Sequence, residues 1–252
     1  MNYVPSEILC LIIDYTPEAL WLASDNYQYN YIIQKYPNNK IYEWSIEIDH
    51  VDFMKYSYEN GCPWDENTCY YAVQNGHLDC LKYAHENGCE WDVKTCTSAA
   101  MNGHLDCLKY AHENGCEWDK WTCAWAAKNG HLDCLKYAHE NGCEWDFQVG
   151  LITINNCHLD CLQYIYENGY ELDMYVCTRA ALNGYLDCLK YLHENCNCYW
   201  DGSTCFWAAA FGHLDCLKYA IEHDCPCDAS ARQKAIENNH QDCVDYLLSK
   251  NL

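Results

Sequence analysis

Basic side chains are scarce in this chain: 15 lysines and arginines stand against 37 aspartates and glutamates, a formal charge of −22 over 252 residues. Binding to phosphate backbones draws its affinity from Lys and Arg, so this balance argues against a nucleic-acid partner. Basic protein surfaces would instead be steered toward the chain, although acidic surfaces also serve plain solubility. Long apolar runs are missing as well. The N-terminal one, Ile8 to Ile13, has no basic flank and is far too short to span a bilayer or serve as a signal core. The expectation is an intracellular, cytoplasmic protein without membrane contact. No glycine-rich phosphate loop occurs, so no nucleotide chemistry and no cofactor is expected.

Half of the residues are apolar, enough to build a core. The 22 cysteines would suggest a disulfide scaffold in a short secreted chain. Here they recur at fixed positions inside repeated segments, which predicts mostly free thiols.

Self-similarity organises the chain. The stretch Asn75-Gly76-His77-Leu78-Asp79-Cys80-Leu81-Lys82-Tyr83 returns from Asn102 to Tyr110 and again from Asn129 to Tyr137, a spacing of 27 residues. The same register aligns His50, His77, His104, His131, His158, Tyr185, His213 and His240, with one residue inserted between the sixth and seventh. That gives eight copies.

Each unit reads as two helices. In the copy from Asp92 to Gly115, Asp92 is an N-cap for Val93 to Asn102, whose Cys96, Ala99 and Ala100 fall on one narrow apolar stripe. Gly103 ends that helix. A second begins near His104, with Asp106 in its first turn where the macrodipole favours an acid, and with Leu105, Leu108 and Ala111 as its buried face. Asn114-Gly115 terminates it in the left-handed conformation. A pair of short helices cannot bury both apolar faces alone, so units must stack on their neighbours.

Ala99-Ala100-Met101-Asn102-Gly103-His104-Leu105-Asp106-Cys107-Leu108-Lys109 resembles the ankyrin signature, and Gly115-Cys116-Glu117-Trp118-Asp119 resembles the Gly-Ala-Asp-Val-Asn that follows it. The resemblance covers roughly residues 46–252 and implies an all-α, ankyrin-like helical solenoid of about eight helix-pair repeats. An ankyrin unit has about 33 residues, so each copy here lacks about six, between Asp92 and Thr95, where ankyrins build a β-hairpin. Those hairpins should be reduced or absent. These cysteine- and tryptophan-rich short repeats resemble those of proteins encoded by large DNA viruses of protists and by some protists themselves, which for a viral chain would imply the host cytoplasm.

Residues 1–45 fall outside the repeat. Val4-Pro5-Ser6-Glu7-Ile8-Leu9-Cys10-Leu11-Ile12 resembles the opening of an F-box. That resemblance implies that Pro5, Glu7, Ile8, Leu11 and Ile12 dock on a Skp1-like adaptor of a cullin-type ubiquitin ligase while the repeats hold a substrate. The other reading is a helical cap over the first unit, which stacked repeats require.

Histidine and cysteine three residues apart recur in every unit, but zinc needs four converging ligands and equivalent positions on stacked helices lie on the order of 10 Å apart. Core thiols and turn-bracing histidines account for them. Cys196 with Cys198 and Cys225 with Cys227, near His193 and His223, are closer candidates but lack two ligand pairs at fixed spacing, so no metal site is assigned. A catalytic thiolate needs its own base in an electropositive pocket, and a motif repeated in an acidic stack singles out no such residue, so no enzyme is expected. Trp64, Trp91, Trp118, Trp145 and Trp200 and the tyrosines from Tyr83 to Tyr219 are read as packing between repeats, since whatever recurs in every unit is explained by stacking.

Variation points to recognition. The second helices hardly change from copy to copy, whereas the first helices and their lead-ins do. By resemblance to ankyrins, the pair before the glycine turn faces the concave surface. The stripe comprises Tyr70, Tyr71, Gln74, Met101, Trp121, Trp125, Lys128, Phe147, Tyr175, Arg179, Leu182, Phe206, Trp207 and Phe211, and its aromatic bias is that of binding hot spots. The fourth unit diverges most, with Thr153-Ile154 for the paired alanines and Cys157 for glycine, and is expected to be a bend or weak joint. The reading is a monomeric, non-catalytic scaffold binding a protein on this stripe. Two alternatives stay open, a structural or sequestering protein without a ubiquitin role and a thiol-rich metal- or redox-binding protein.

Overall fold

The computed structural model describes residues 26–36, 45–47, 49–62, 67–145 and 147–252, without the side chains of 26, 27, 147, 148 and 151. The F-box-like Pro5, Glu7, Ile8, Leu11 and Ile12 lie outside the described residues, as does Trp64. The chain divides into two compact units, Met1–Ala126 with Tyr137–Cys143 and Ala127–Lys136 with Glu144–Leu252.

The architecture is all-α, and among the described residues there is no strand. The helices are α1 (Asn26–Lys35), α2 (Val51–Glu59), α3 (Thr68–Asn75), α4 (Leu78–Glu86), α5 (Val93–Asn102), α6 (Leu105–Glu113), α7 (Lys120–Lys128) and α8 (Leu132–Glu140). They continue with α9 (Phe147–Asn156), α10 (Leu159–Glu167), α11 (Val176–Leu182), α12 (Leu186–Glu194), α13 (Gly202–Ala210), α14 (Leu214–Glu222), α15 (Ala229–Glu237) and α16 (Gln241–Ser249). First helices pack on first helices and second on second: α3 on α5 and α4 on α6 in the first unit, α11 on α13 on α15 and α12 on α14 on α16 in the second.

Local chemistry sets these boundaries. The Asp92 carboxylate accepts the Lys94 N–H at 2.9 Å and the Asp201 carboxylate accepts the Ser203 N–H at 2.9 Å, so α5 and α13 start directly at their caps. No residues are left between cap and helix for a β-hairpin. The sequence LDCLKYAHE recurs unchanged in α4, α6 and α8. After α6 the Asn114 side-chain amide donates to Tyr110 O at 2.8 Å, Gly115 turns with φ +88°, and the Cys116 N–H closes on Ala111 O at 2.9 Å.

The loop cysteines then bind the pair together. Cys96 Sγ donates to Cys116 O at 3.7 Å, and Cys116 Sγ donates to Asp92 O at 3.2 Å. The same two contacts recur at Cys123 and Cys143, with acceptors Cys143 O at 3.8 Å and Asp119 O at 3.1 Å. Thiols are weak donors, so each contributes modestly, but both carbonyls they serve border the short linker that replaces the hairpin.

Small side chains line the first helices. Cys96, Ala99 and Ala100 are fully buried, as are Cys177, Ala180 and Ala181 in α11. On the second helices Cys107, Leu108 and Ala111 are buried while Leu105 is only half-buried, because it lies in the first turn at the rim of the packed face. The cysteine, not the first leucine, completes the buried triplet.

Between repeats the constant aromatics interlock. His112 and Trp118 stack at 3.6 Å, and Tyr137 meets both edge-on at 5.9 and 6.1 Å. His85, Trp91 and Tyr110 in the first unit, and His193, Trp200 and Tyr219 in the second, repeat this arrangement. Lys82 sits 5.8 Å from the Tyr110 ring and Lys109 5.7 Å from Tyr137, adding a cation–π contact per joint. These residues are structural, as the sequence predicts.

A tight steric constraint lies at the glycine turn inside a helix pair. Gly184 has φ +77°, and a Cβ there would stand 2.5 Å from Nδ1 of His213 in the next repeat. The missing side chain is the seat of the neighbour's imidazole. Gly184→Ala is therefore expected to destabilise the protein by about 1–3 kcal/mol, from a strained φ and an ousted ring. Adding His213→Ala should recover part of that loss in urea denaturation, whereas strictly additive costs would show that the ring and the turn are not coupled.

Candidate protein-binding site

The variable residues sit on first helices whose apolar stripe is already used for stacking, so their larger side chains project from the remaining faces. Seven large apolar side chains are exposed among the described residues, and five of them, Trp121, Met174, Tyr175, Phe211 and Ile236, belong to the first helices or the residues flanking them. Trp121, Tyr175 and Phe211 among them belong to the stripe read from sequence.

In the first unit several of these residues converge on a cleft of about 530 Å³. It is lined by Tyr70 of α3, by Val93, Lys94, Thr97, Ser98 and Met101 of α5, and by Asp119, Trp121 and Trp125 at α7. Its walls are held by short-range bonds. The Asp119 carboxylate accepts the Trp121 N–H at 2.9 Å, and the Thr97 hydroxyl donates to Val93 O at 3.0 Å and lies 3.2 Å from that of buried Thr122. Trp121 is exposed, Trp125, Met101 and Tyr70 are half-buried, and the Lys120 ammonium lies 5.8 Å from the Trp121 ring. Such a site offers mostly apolar area beside the polar groups of Lys94, Thr97, Ser98 and Asp119.

Tyr70, Met101, Trp121 and Trp125 are thus brought together, while Tyr71 stands edge-on to Tyr70 at 5.9 Å beside the cleft. The Gln74 side chain is exposed, and its backbone carbonyl lies 3.2 Å from Nε2 of His104. Lys128 is half-buried at the end of α7, and Phe147 opens α9 with its side chain outside the described residues. In the second unit Phe206, Trp207 and Phe211 form a cluster, with ring distances of 5.1 Å and 6.0 Å. Tyr175 is exposed at the start of α11, Leu182 is half-buried, and Arg179 Nη2 lies 3.6 Å from the Asp173 carboxylate.

Val93, Lys94, Thr97, Ser98 and Asp119 line the cleft but are absent from the sequence-derived stripe. Val93, Thr97 and Met101 are four apart, so extending the Met101 position back along its own helix face was the available signal.

Several of the buried helix thiols are poor nucleophiles. Burial, reinforced by the Asp160 charge, pushes the Cys161 thiol up to about 12, and burial with Asp215 pushes Cys216 up to about 11. Cys96 is likewise raised, by donating to Cys116 and by burial. Around the suggested metal pairs, His193 stacks on Trp200 at 3.9 Å, His223 Nδ1 lies 2.8 Å from Tyr219 O, and Cys225 donates to Asp201 O at 3.3 Å. Among the described residues no group of three or more His, Cys, Asp and Glu side chains is placed to hold a metal ion. No helix among them is long and apolar enough to cross a membrane.

Comparison with known proteins agrees with this architecture. A family profile described as ankyrin repeats (3 copies) matches residues 69–149 and 178–252, and one described as ankyrin repeats (many copies) matches 152–193. The crystal structure of the human ASB11 ankyrin repeat domain is similar in fold, with a TM-score of 0.58 at 18% identity over 70% of this chain and 96% of that one. No curated protein matches the sequence. Ankyrin repeats serve in general as non-enzymatic protein-interaction modules, and with the first profile covering more than half of its residues this chain belongs to the ankyrin-repeat family.

Proposed function

We propose that the chain is a non-catalytic scaffold that captures a protein segment on its first-helix stripe, with the cleft between Tyr70, Met101, Trp121 and Trp125 as the principal pocket of the first unit. The observation that carries this reading is the convergence of four stripe residues on one mostly apolar cleft. Buried aromatic anchors dominate interface energetics, and rings held in place by their helices lose little entropy on binding. The formal charge of −22 favours approach of a basic partner surface.

Trp121→Ala with Trp125→Ala should reduce capture of the partner from cell lysate by about 30-fold or more, the order expected for hot-spot truncation. Helical circular dichroism should be unchanged. Undiminished capture by the double variant, with partners identified by mass spectrometry, would contradict the assignment of the cleft.

The proposal has a second part, at the N-terminus. The F-box-like pattern of Pro5, Glu7, Ile8, Leu11 and Ile12 supports docking on a Skp1-like adaptor, which would make the scaffold a substrate recruiter for a cullin-type ligase. Burial of Tyr29 and Ile32 supports the cap instead, with the Tyr29 ring 5.0 Å from Phe53 and 5.3 Å from Tyr56 of α2. The two assignments differ in one measurement. If the segment recruits the adaptor, Ile8→Asp with Leu11→Asp abolishes copurification of Skp1 and cullin and retains the other partners. Absence of Skp1 from the unsubstituted chain leaves residues 1–45 as a cap and the protein as a plain binding scaffold.

A further inference from the structure

Four turns show the same economy of space. A Cβ on Gly76, Gly130, Gly184 or Gly212 would run into the imidazole of His104, His158, His213 or His240 respectively, each in the following repeat. Asp49, Cys157 and Asn239 take the glycine's place at three other turns, and at Cys157 the histidine of the next repeat is changed as well. Cys157 occupies the glycine position with φ +41°, and the residue that follows in register is Tyr185, not histidine. The two changes compensate one another. His104 Nε2 lies 3.2 Å from Gln74 O, and the Tyr185 hydroxyl donates at 3.3 Å to the equivalent carbonyl, that of Asn155. Tyrosine reaches the same acceptor and the space before the turn is left to a side chain.

That side chain meets a second sulfur. Cys188 is the copy in α12 of the buried cysteine found in each second helix from α4 to α16. Across this joint its Cα lies 6.4 Å from that of Cys157, inside the range a disulfide spans, and the two sulfurs are paired.

The same joint lacks the usual ladders. Gln163 stands where other copies carry the lysine that covers the next tyrosine, as Lys190 does over Tyr219 at 5.9 Å. Tyr166 and Leu172 replace the stacked His and Trp, leaving an edge-on pair of Tyr166 and Tyr191 at 6.4 Å. The lysine–tyrosine contact and the His–Trp stack are missing where the sulfur pair is found.

We infer that Cys157 and Cys188 are a site of reversible thiol–disulfide exchange that clamps the α9–α10 pair to the α11–α12 pair. Cys157 is half-buried and Cys188 buried, so Cys157 is the entry sulfur. Its thiolate attacks a low-molecular-weight disulfide such as glutathione disulfide, forming a mixed disulfide and releasing one thiolate. Cys188, deprotonated, then attacks Cys157 Sγ and expels the second. Two protein thiols lose two electrons and two protons, and the oxidant becomes two thiols. Reduction by a thiol reverses both steps. The redox state of the surroundings thereby sets the strength of the joint.

The test uses the full chain equilibrated in glutathione buffers from fully reduced to oxidised, quenched by alkylation and mapped by peptide mass spectrometry, with thermal melting in parallel. A Cys157–Cys188 cross-linked peptide should accumulate before any other, and the melting temperature should rise by about 5–10 °C on oxidation. Cys157→Gly, which installs the residue of the glycine turns, and Cys157→Ser should each melt like the reduced protein in every buffer. A cross-link between other cysteines instead, no link at all, or a link without a shift in melting would each overturn the inference.

Discussion

An imidazole seated where a glycine has no side chain is the contact on which this stack depends. At the turn inside a helix pair the backbone must take a positive φ, which glycine does without steric cost. The same missing Cβ leaves room for the ring that begins the next second helix, as His213 does against Gly184. Turn and neighbour are therefore fixed together, and the register they set brings lysine over tyrosine and histidine onto tryptophan at joint after joint. Short repeats without hairpins have few other ways to bind one unit to the next.

Much of this was legible in sequence because the repeat supplies its own comparison. Asp92 as cap, Gly103 as terminator, the buried Cys96, Ala99 and Ala100, and the missing hairpin all follow from local rules of helix capping and periodicity. What was not legible depends on contacts between repeats. The role of Leu105 is set by where the second helix's first turn meets the packed rim, which a helical wheel does not reveal. The meeting of Cys157 with Cys188 spans 31 residues and requires both the turn conformation and the replacement of histidine by Tyr185. Each departure is visible in the sequence, but only the fold places them at one joint.

The candidate site shows the same division. Trp121, Trp125, Met101 and Tyr70 could be picked out as variable aromatic and apolar positions on first helices. Their convergence on one cleft, and the part played by Val93 and Thr97, rests on the spacing between α5 and its neighbours. The constant residues build a frame that is nearly the same in each copy, and the substitutions on it give each part of the stack a different surface. The repeated cysteines belong to the frame. Their burial and their bonds to backbone carbonyls hold short linkers closed, and the raised values of Cys161 and Cys216 keep those thiols protonated near neutral pH.

Cooperation between neighbouring repeats is the claim that everything else here rests on, and hydrogen exchange of the intact chain in reducing buffer tests it most directly. Helices α10, α11 and α12 flank the joint that lacks the repeated contacts, so their amides should exchange at least about tenfold faster than those of α5, α6, α13 and α14. Equal protection in all of these helices, or slowest exchange in α10 to α12, would contradict the view that the glycine-seated histidine and its companion ladders hold the repeats together.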